Sequence, residues 1–421
     1  MVKNSTICIV GLGYVGLPLA AAFSKKYQVI GYDKNKLRIK ELNNFYDRTG
    51  EITSSQLKKI KSRLILTANK KKIFQANIYI VTVPTPVKNK IPNLKYLEQA
   101  TSLISKNLKK NDYVIYESTV YPGVTEDLVK NILSKKTKFV LNKDFYVGYS
   151  PERINPSDKI RKLENIVKVV SGSNEQAAQF IKKLYSSIIH ARVFKAKNIQ
   201  VAEAAKVIEN AQRDINIAFI NELSIIFNKM NLSLKDILKA SSTKWNFLNF
   251  KPGLVGGHCI GVDPYYLAYI SKKNYYYPKV ILAGREINDK MGSVIVDDFI
   301  NKIFQKRTNK KKILILGYTF KENCRDIRNT KVEDLFKNLK KKFKEVSIYD
   351  HMVIKSEVNK NLSRYFLTNI KNNYFDAIIL AVPHKKFLEL GKNGLFKYLN
   401  KDGKIYDIKH VLKEDKRIFY L

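Results

Sequence analysis

The sequence is poor in cysteine, histidine and long apolar runs. Its three cysteines, Cys8, Cys259 and Cys324, are too few for a disulfide framework. The histidines are scattered, with no pair four residues apart, so we expect no metal site. No apolar run approaches the roughly 20 residues that a membrane span needs, and the first strand is too short for a signal peptide core. The sequence therefore predicts a soluble cytoplasmic protein.

Acidic residues are also scarce, with 37 Asp and Glu against 77 Lys and Arg and a formal net charge of +40. Such an excess is typical of proteins that bind nucleic acids. Here, however, lysine is spread along the whole chain and accompanies Asn, Ile and Tyr. We interpret it as a compositional bias that places lysine on every solvated face, and we expect no nucleic-acid partner and no membrane insertion. The basic field favours an anionic substrate.

Short apolar runs alternate with helical stretches, which predicts a doubly wound parallel sheet. The predicted strands of the first half are residues 6–10, 28–33, 78–83, 113–117 and 145–149. A run without Gly or Pro from about Asn198 to Met230 predicts one long helix. A second strand–helix unit opens at Lys311 and continues through strands at 346–350 and 377–382.

The expected fold class is α/β, with two Rossmann-like domains joined by a long central helix and a helical middle domain. The predicted domains are a first Rossmann-like domain at residues 1–197, a helical domain at 198–305 and a second Rossmann-like domain at 306–421. The second Rossmann-like copy lacks a Gly-x-Gly-x-x-Gly turn, so we expect it to bind something other than a full dinucleotide.

The run Gly11-Leu12-Gly13-Tyr14-Val15-Gly16 follows an apolar strand and precedes a helix. In that context its glycines allow a tight turn, backbone approach to a pyrophosphate, and close packing of helix on strand. Asp33 ends the next strand, where an acid binds the ribose hydroxyls and repels a 2′-phosphate. The sequence therefore predicts an NAD site, while Lys34 and Arg38 leave NADP open.

Cys259 is the cysteine of interest, because Cys8 lies in the first strand and Cys324 in a predicted loop or helix start. Gly256 and Gly257 come before it and permit close approach of a substrate to the backbone. A thiolate there can be stabilised by nearby cations, although packing is an equally common role for a buried thiol. A dinucleotide site together with a nucleophilic thiol indicates an enzyme that oxidises an aldehyde through a thioester.

Several motifs, in one order along most of the chain, resemble the UDP-glucose/GDP-mannose dehydrogenase family of nucleotide-sugar 6-dehydrogenases. These motifs are Gly11–Pro18, Val83–Pro86, Glu117–Val120, Ser150–Arg153, Glu203–Asn210, Gly256–Cys259 and Gly317–Asn323. The resemblance implies that the C6 hydroxyl of a UDP-sugar is oxidised twice by NAD, through a thiohemiacetal and a thioester on Cys259, and that water releases the uronic acid. It also implies a homodimer with the long helix at the interface.

The resemblance assigns roles to individual residues. It makes Cys259 the nucleophile and Glu152 the general base, with Thr119 positioning the water and Asp263 supporting the network. Lys206 and Asn210, four residues apart and so on one helix face, would stabilise the oxyanion. The implied cofactor contacts are Gly11, Gly13, Tyr14, Val15, Gly16, Asp33, Arg38, Thr85, Thr119 and Arg328. The implied substrate contacts are Glu152, Arg153, Lys206, Asn210, Lys251, Gly256, Gly257 and Lys321.

Two segments resemble the branch that acts on UDP-N-acetylglucosamine or UDP-N-acetylgalactosamine and serves surface polysaccharide synthesis. They are Ser150–Pro156 and Trp245–His258. Pro156 stands where the UDP-glucose branch has a second acid. The alternatives are a UDP-glucose or GDP-mannose enzyme, or a nucleotide-binding protein without catalysis. His258, beside the cysteine, has either a tuning or a purely structural role.

Overall fold

A computed structural model describes residues 5–154, 161–258, 260–304 and 310–421 of this chain. The strands are β1 Thr6–Val10, β2 Gln28–Tyr32, β3 Leu64–Thr67, β4 Ile78–Val81, β5 Val87–Lys88, β6 Ile91–Pro92, β7 Asp112–Tyr116, β8 Phe145–Tyr149, β9 Lys168–Gly172, β10 Val193–Lys195, β11 Lys312–Leu316, β12 Glu345–Tyr349, β13 Phe375–Leu380, β14 Leu399–Asp407 and β15 Ile418–Tyr420. The α-helices are α1 Gly16–Ser24, α2 Lys36–Asn43, α3 Ser54–Ile60, α4 Lys95–Ser105, α5 Val124–Leu128, α6 Lys135–Thr137, α7 Glu175–Ser186, α8 Ile199–Lys229, α9 Leu234–Ser241, α10 Asp263–Lys273, α11 Lys279–Phe304, α12 Val332–Lys340, α13 Lys360–Ser363 and α14 Lys385–Phe396.

The described chain forms two compact units. The first takes the chain up to Glu209 together with Tyr265–Tyr276, and the second takes Asn210–Pro264 together with the chain from Tyr277 onward. The predicted division into three domains stays a prediction, and its second boundary, between residues 305 and 306, lies outside the described residues.

The first unit is built on an eight-stranded sheet in the order β10-β9-β8-β7-β4-β1-β2-β3. Its strand pairs are parallel except for β8 and β9, which run antiparallel. The predicted doubly wound parallel sheet is therefore found, with one antiparallel pair at β9, a strand that the sequence did not predict. The starting strand β1 lies between β2 and β4, and helices α1 and α7 pack on the sheet through a core that includes Leu17, Phe23 and Ile181.

The second unit repeats this arrangement on a smaller scale, as the sequence predicts. Its five-stranded sheet has the order β12-β11-β13-β14-β15, and every pair is parallel. The starting strand β11 again lies between the next strand and a crossover strand. Met291, Phe299 and Leu335, from α11 and α12, are among the buried side chains of its core.

Most predicted elements are found with small changes at their ends. The predicted long helix is α8, which spans 31 residues. Among the described residues, no helix is long and apolar enough to cross a membrane.

Candidate functional site

The dinucleotide turn of the first unit follows β1 and leads into α1. Gly11 has φ +100, and a Cβ at Gly16 would overlap the Gly11 carbonyl and the Thr82 hydroxyl. These two glycines are therefore required by the backbone itself. Gly13 is different, because a Cβ there would have no protein atom within 4 Å. This open space beside the first turn of α1 fits a pyrophosphate held by backbone N–H groups.

Asp33 holds the same turn from the end of β2. One carboxylate oxygen accepts the Leu12 N–H at 2.9 Å, and the other accepts the Asn35 N–H at 2.9 Å. The residues around the turn thus fit an adenosine ribose beside a carboxylate, as in an NAD site. Tyr14 and Val15, also predicted to contact the cofactor, are half-buried in the turn itself.

Arg38 lies behind the turn. It is 5% exposed, its Nε donates to the Leu12 carbonyl at 3.0 Å, and its guanidinium pairs with Asp47 at 2.8 Å. The ammonium of Lys34 lies over the ring of Tyr96. The structure thus gives Arg38 a role in supporting the turn, and its cofactor contact stays a prediction.

Thr85 and Thr119 lie together beyond the ends of β4 and β7. The Thr85 hydroxyl donates to the Thr119 carbonyl at 2.7 Å, and the Thr85 carbonyl accepts the Tyr266 hydroxyl at 2.6 Å. The segment after Thr119 is anchored by Glu203 on α8, whose carboxylate accepts the N–H groups of Gly123 and Thr125. Burial raises the pKa of Glu203 to about 7.

Glu152 belongs to a buried charged cluster. Its carboxylate accepts the backbone N–H groups of Arg153 and Ile154, and it lies 3.3 Å from the ammonium of Lys168. Burial by itself would raise the pKa of Glu152, but the ammonium of Lys168, the Ile154 N–H and the ammonium of Lys206 outweigh it and hold that pKa below its ordinary value. Glu152 is therefore a carboxylate at neutral pH, as a general base must be.

The neighbouring predicted residues are also placed by the first unit. Lys206 lies on α8 and is 8% exposed. The Arg153 guanidinium pairs with Glu209 at 2.8 Å and donates to the Val167 carbonyl at 3.0 Å. Cys8 is fully buried in β1, as expected. Residues 155–160, which include Pro156, lie outside the described part of the chain.

In the second unit the two glycines before the predicted nucleophile pack against the chain that follows β11. A Cβ at Gly256 would lie 2.8 Å from the Asn329 carbonyl, and one at Gly257, where φ is +86, would lie 2.5 Å from the Phe320 ring. These contacts explain both glycines by packing, and their substrate contact stays a prediction. The His258 ring lies 3.3 Å from Asp326. Cys259 itself lies outside the described residues.

Asn210 and Asp263 meet within the second unit. The Asn210 amide donates to the Asp263 carboxylate at 2.5 Å, and Asp263 is 1% exposed at the start of α10. These two residues, which the resemblance assigns to different roles, are thus joined by a direct hydrogen bond. Whether the pair serves catalysis stays a prediction.

The other predicted contacts of the second unit are more exposed. Lys251 is exposed, and Lys321 is half-buried in the turn that follows β11. Arg328 is bound to Asp326 through several hydrogen bonds, and its side chain is 48% exposed. Cys324 lies in a loop, as expected, and is fully buried.

The turn after β11 shows why the second copy differs from the first. Gly317, with φ +87, occupies the place of Gly11, and the Asp350 carboxylate accepts the N–H groups of Tyr318 and Thr319 as Asp33 accepts that of Leu12. Thr319 is fully buried, with its hydroxyl donating to the Lys321 carbonyl. The open space found at Gly13 is therefore filled here.

Sequence reasoning missed the residues that hold these groups from behind. In the first unit they are Glu117, Lys168, Tyr185 and Glu203, and in the second Asp326, which pairs with His258 and Arg328. The available signal for Lys168 was its place in the apolar run Ile166-Val167-Lys168-Val169-Val170. The expectation that lysine occupies solvated faces is wrong at Lys168, which is 2% exposed because two carboxylates surround its ammonium.

A glycine turn between a strand and a helix, followed by an acid at the end of the next strand, defines a dinucleotide-binding enzyme fold. The chain matches the three domains of one family: the NAD binding domain over residues 5–189, the central domain over 200–290, and the UDP binding domain over 314–414. The chain belongs to the UDP-glucose/GDP-mannose dehydrogenase family. It is an NAD-dependent oxidoreductase.

Individual relatives cover nearly the whole chain. The UDP-N-acetyl-D-glucosamine 6-dehydrogenase of Salmonella typhi is 48% identical over 96% of both chains. That of Pseudomonas aeruginosa is 46% identical over 98% of this chain and 99% of its own. Among solved structures, a UDP-D-ManNAc dehydrogenase from Pyrococcus horikoshii matches with a TM-score of 0.86 and 28% identity, covering 99% of this chain and 98% of that one.

Proposed function

We propose that this enzyme oxidises the C6 hydroxyl of UDP-N-acetylglucosamine to the carboxylate, with UDP-N-acetylgalactosamine as the alternative hexosamine. The observation that carries the proposal is 48% identity, over 96% of both chains, with a protein named for the glucosamine reaction. Relatives named for UDP-N-acetyl-D-mannosamine are only 29–31% identical. The remaining alternative is UDP-glucose as the substrate.

The reaction removes four electrons in two stages, and Cys259 links the stages. NAD bound at the Gly11–Gly16 turn supplies the hydride acceptor for each oxidation. After the first oxidation the Cys259 thiolate attacks the C6 aldehyde and forms a thiohemiacetal, which keeps the aldehyde bound while the cofactor exchanges. The second oxidation gives a thioester. Water then forms a bond to its carbonyl carbon, the carbon–sulfur bond breaks, and the uronic acid leaves.

Lys206 and Asn210 are proposed to stabilise the oxyanions that form at C6. Two features support this: Lys206 keeps its ammonium in a nearly buried position on α8, where an electrostatic contact is strong, and Asn210 is fixed in orientation by Asp263. The Asn210 amide donates one N–H to Asp263, so its second N–H can be offered elsewhere.

Glu152 is proposed to take the proton from the water that attacks the thioester, with Thr119 orienting that water. Its support is the lowered pKa of Glu152, which keeps the carboxylate available as a base at neutral pH. The Thr85–Thr119 hydrogen bond supports the second role because it fixes the backbone that carries the Thr119 hydroxyl.

The remaining predicted contacts belong to the same proposal. Gly11, Gly13, Tyr14, Val15, Gly16, Asp33, Arg38, Thr85 and Arg328 are assigned to NAD, and Arg153, Lys251, Gly256, Gly257 and Lys321 to the UDP-sugar. Residues 1–197 would form the NAD-binding domain, 198–305 the central domain and 306–421 the UDP-sugar-binding domain. We place the reaction in the cytoplasm, where NAD and nucleotide sugars occur, and its product in surface polysaccharide synthesis.

A homodimer is part of the proposal, and an apolar stripe on α8 supports it. Val201, Ile208, Phe219 and Ile226 are 46%, 53%, 54% and 44% exposed. Their separations of 7, 11 and 7 residues keep them on one face of a helix with 3.6 residues per turn. Such a stripe is typical of a helix that packs against a second chain.

Sedimentation of the purified protein tests the dimer. We expect a dimer for the native chain and a monomer for the Phe219→Asp variant. A matched control is Leu388→Asp, since Leu388 is a 41% exposed apolar residue on α14, outside the stripe. A dimer that survives Phe219→Asp contradicts the assignment of this face.

Substrate preference tests the proposed reaction. NADH formation is followed with UDP-GlcNAc, UDP-GalNAc, UDP-ManNAc, UDP-glucose and GDP-mannose, with Cys259→Ala in parallel. We expect the highest kcat/KM with UDP-GlcNAc and no turnover in the variant. Preference for UDP-glucose would overturn the proposed substrate, and absence of NADH from every sugar would contradict the proposed reaction.

A further inference from the structure

A single lysine lies between two buried glutamates in the first unit. The Lys168 ammonium, on β9, is 2.8 Å from Glu117 at the end of β7 and 3.3 Å from Glu152. The side chains of Lys168, Glu117 and Glu152 are 3%, 0% and 9% exposed. Tyr185, on α7, donates its hydroxyl to Glu117. We call Glu117, Lys168, Glu152 and Tyr185 the Lys168 cluster.

Such a cluster is costly as a structural element alone. Two carboxylates and one ammonium leave a net charge of −1 in a buried place, and each ion loses its hydration there. Apolar side chains of similar size would join β7, β9 and α7 at least as well. A structural role alone therefore does not account for the cluster. Glu152 indicates a chemical role, because its side chain is 9% exposed whereas that of Glu117 is fully buried.

The two carboxylates differ in protonation. Burial raises the pKa of Glu117 to about 7, against the opposing charge of Lys168. The pKa of Glu152 lies below its ordinary value because the Lys168 ammonium and the Ile154 N–H outweigh its burial. The pKa of Lys168 is raised by both carboxylates despite its burial, so its ammonium stays charged. Lys168 thus keeps Glu152 ionised. Glu117 forms the shorter ion pair with the same ammonium, so the charge of Lys168 acts on both carboxylates.

We propose that Lys168 and Glu117 are positioning residues that set the basicity of Glu152 in thioester hydrolysis. This inference rests on the proposed function, in which Glu152 takes a proton from the attacking water. Lys168 keeps Glu152 ionised and fixes one of its oxygens, so the carboxylate is ready when the thioester forms. Glu117 offsets part of the charge of Lys168. The pKa of Glu152 is therefore not lowered so far that its carboxylate becomes too weak a base.

The charge balance gives the two positioning residues opposite effects. When Glu117 is ionised and Glu152 accepts the water proton, the summed charge of Glu117, Lys168 and Glu152 changes from −1 to zero. The ammonium of Lys206 also acts on Glu152 and is the same in every variant. Without Glu117 the same step would take the cluster from neutral to +1, which disfavours protonation of Glu152. Without Lys168, two neighbouring carboxylates would compete for one proton and Glu152 would protonate too easily.

Matched variants separate this proposal from a structural role. They are Lys168→Met, which removes the charge at similar length, and Glu117→Gln, with Lys195→Met as the control. Lys195 is also a strand lysine paired with a glutamate, but it lies at the surface with Glu175. Folding is checked by circular dichroism and NAD binding, and Lys168→Arg, which keeps the charge, serves if Lys168→Met does not fold.

Three readouts are measured with NAD and the best UDP-sugar: the burst of NADH, the Cys259 adduct by intact mass spectrometry, and the pH profile of kcat. For Lys168→Met we expect a burst of two NADH per site, accumulation of the thioester, and kcat lowered about 100-fold. The acidic limb of the kcat–pH profile should move to higher pH by about one unit in Lys168→Met and to lower pH in Glu117→Gln. Lys168→Arg should restore hydrolysis in part, and Lys195→Met should match the native enzyme.

The proposal is overturned if Lys168→Met hydrolyses the thioester with the native pH profile, or if Glu117→Gln leaves the acidic limb of its kcat–pH profile unmoved. It is equally overturned if the acidic limbs of Lys168→Met and Glu117→Gln move in the same direction, or if the NADH burst of a variant falls together with its kcat. Either result indicates general damage to the enzyme. Failure of the proposed function is recognised separately. In that case the native protein forms neither NADH nor a Cys259 adduct, and the role of the cluster is refuted along with it.

Discussion

Replacing Gly13 by alanine should weaken NAD binding without destabilising the fold. A Cβ at this position meets no protein atom within 4 Å, and the backbone of Gly13 has no positive φ, so the protein itself accommodates alanine. The substitution should be neutral or raise the free energy of unfolding by about 0.4–1 kcal/mol. The proposed NAD site places the pyrophosphate against the backbone in this open space. A methyl group there would break one or two charge-assisted hydrogen bonds, each contributing about 1.5–3 kcal/mol.

The Kd for NAD is then expected to rise by roughly 10-fold or more, since each 1.4 kcal/mol is about tenfold in affinity. Titration calorimetry with NAD measures this, and thermal unfolding without cofactor measures the fold. Gly16→Ala is the contrasting variant, because its Cβ would overlap the Gly11 carbonyl, and it should lower the unfolding temperature as well. Native NAD affinity in Gly13→Ala would refute the assignment of the turn, and so would a large loss of stability.

Three further substitutions have defined outcomes. Arg38→Ala should cost about 3 kcal/mol in urea unfolding because it leaves the buried Asp47 carboxylate without its cation, and native stability would contradict that pairing. Gly257→Ala should lower kcat, with an unchanged Kd for NAD, because its Cβ would lie 2.5 Å from the Phe320 ring at a φ of +86; native kcat would contradict this. The pKa of Glu203 rises from 4.5 to about 7 on folding, so its contribution to stability is present below pH 4.5 and is lost as pH rises to about 7. Unfolding of Glu203→Gln should therefore depend less on pH in this range, and an unchanged pH dependence would contradict the burial of that carboxyl.

The sequence predicted the fold wherever the signal was local. The strand at 6–10, the glycine turn and the long helix each carry their pattern within a short window, and β1 and α8 lie where expected. Strands β3, β9 and β10 were not predicted, because a buried strand's hydrogen bonds depend on neighbours far away in the chain. The antiparallel pairing of β8 with β9 was not predicted either, because it also joins segments that are distant in the sequence.

The residues of the candidate site also fall into two groups, those with a local sequence signal and those without one. Motif residues such as Asp33, Glu152 and Asp263 were identified because each stands in a short recognisable run. Their supporting partners were not, since Lys168 reaches Glu152 only after β9 has joined the sheet, 16 residues along the chain. Lys168 begins β9, and its neighbours in the sequence give no sign of either carboxylate that pairs with it.

The stoichiometry of NADH to sugar tests the central claim most directly. The purified enzyme is given a limiting, known amount of UDP-GlcNAc with excess NAD, and NADH is measured at completion together with the product's mass. Two hydride transfers predict two NADH per sugar and a product carrying a C6 carboxylate. One NADH per sugar, with an aldehyde as the final product, would contradict a four-electron oxidation through a thioester on Cys259.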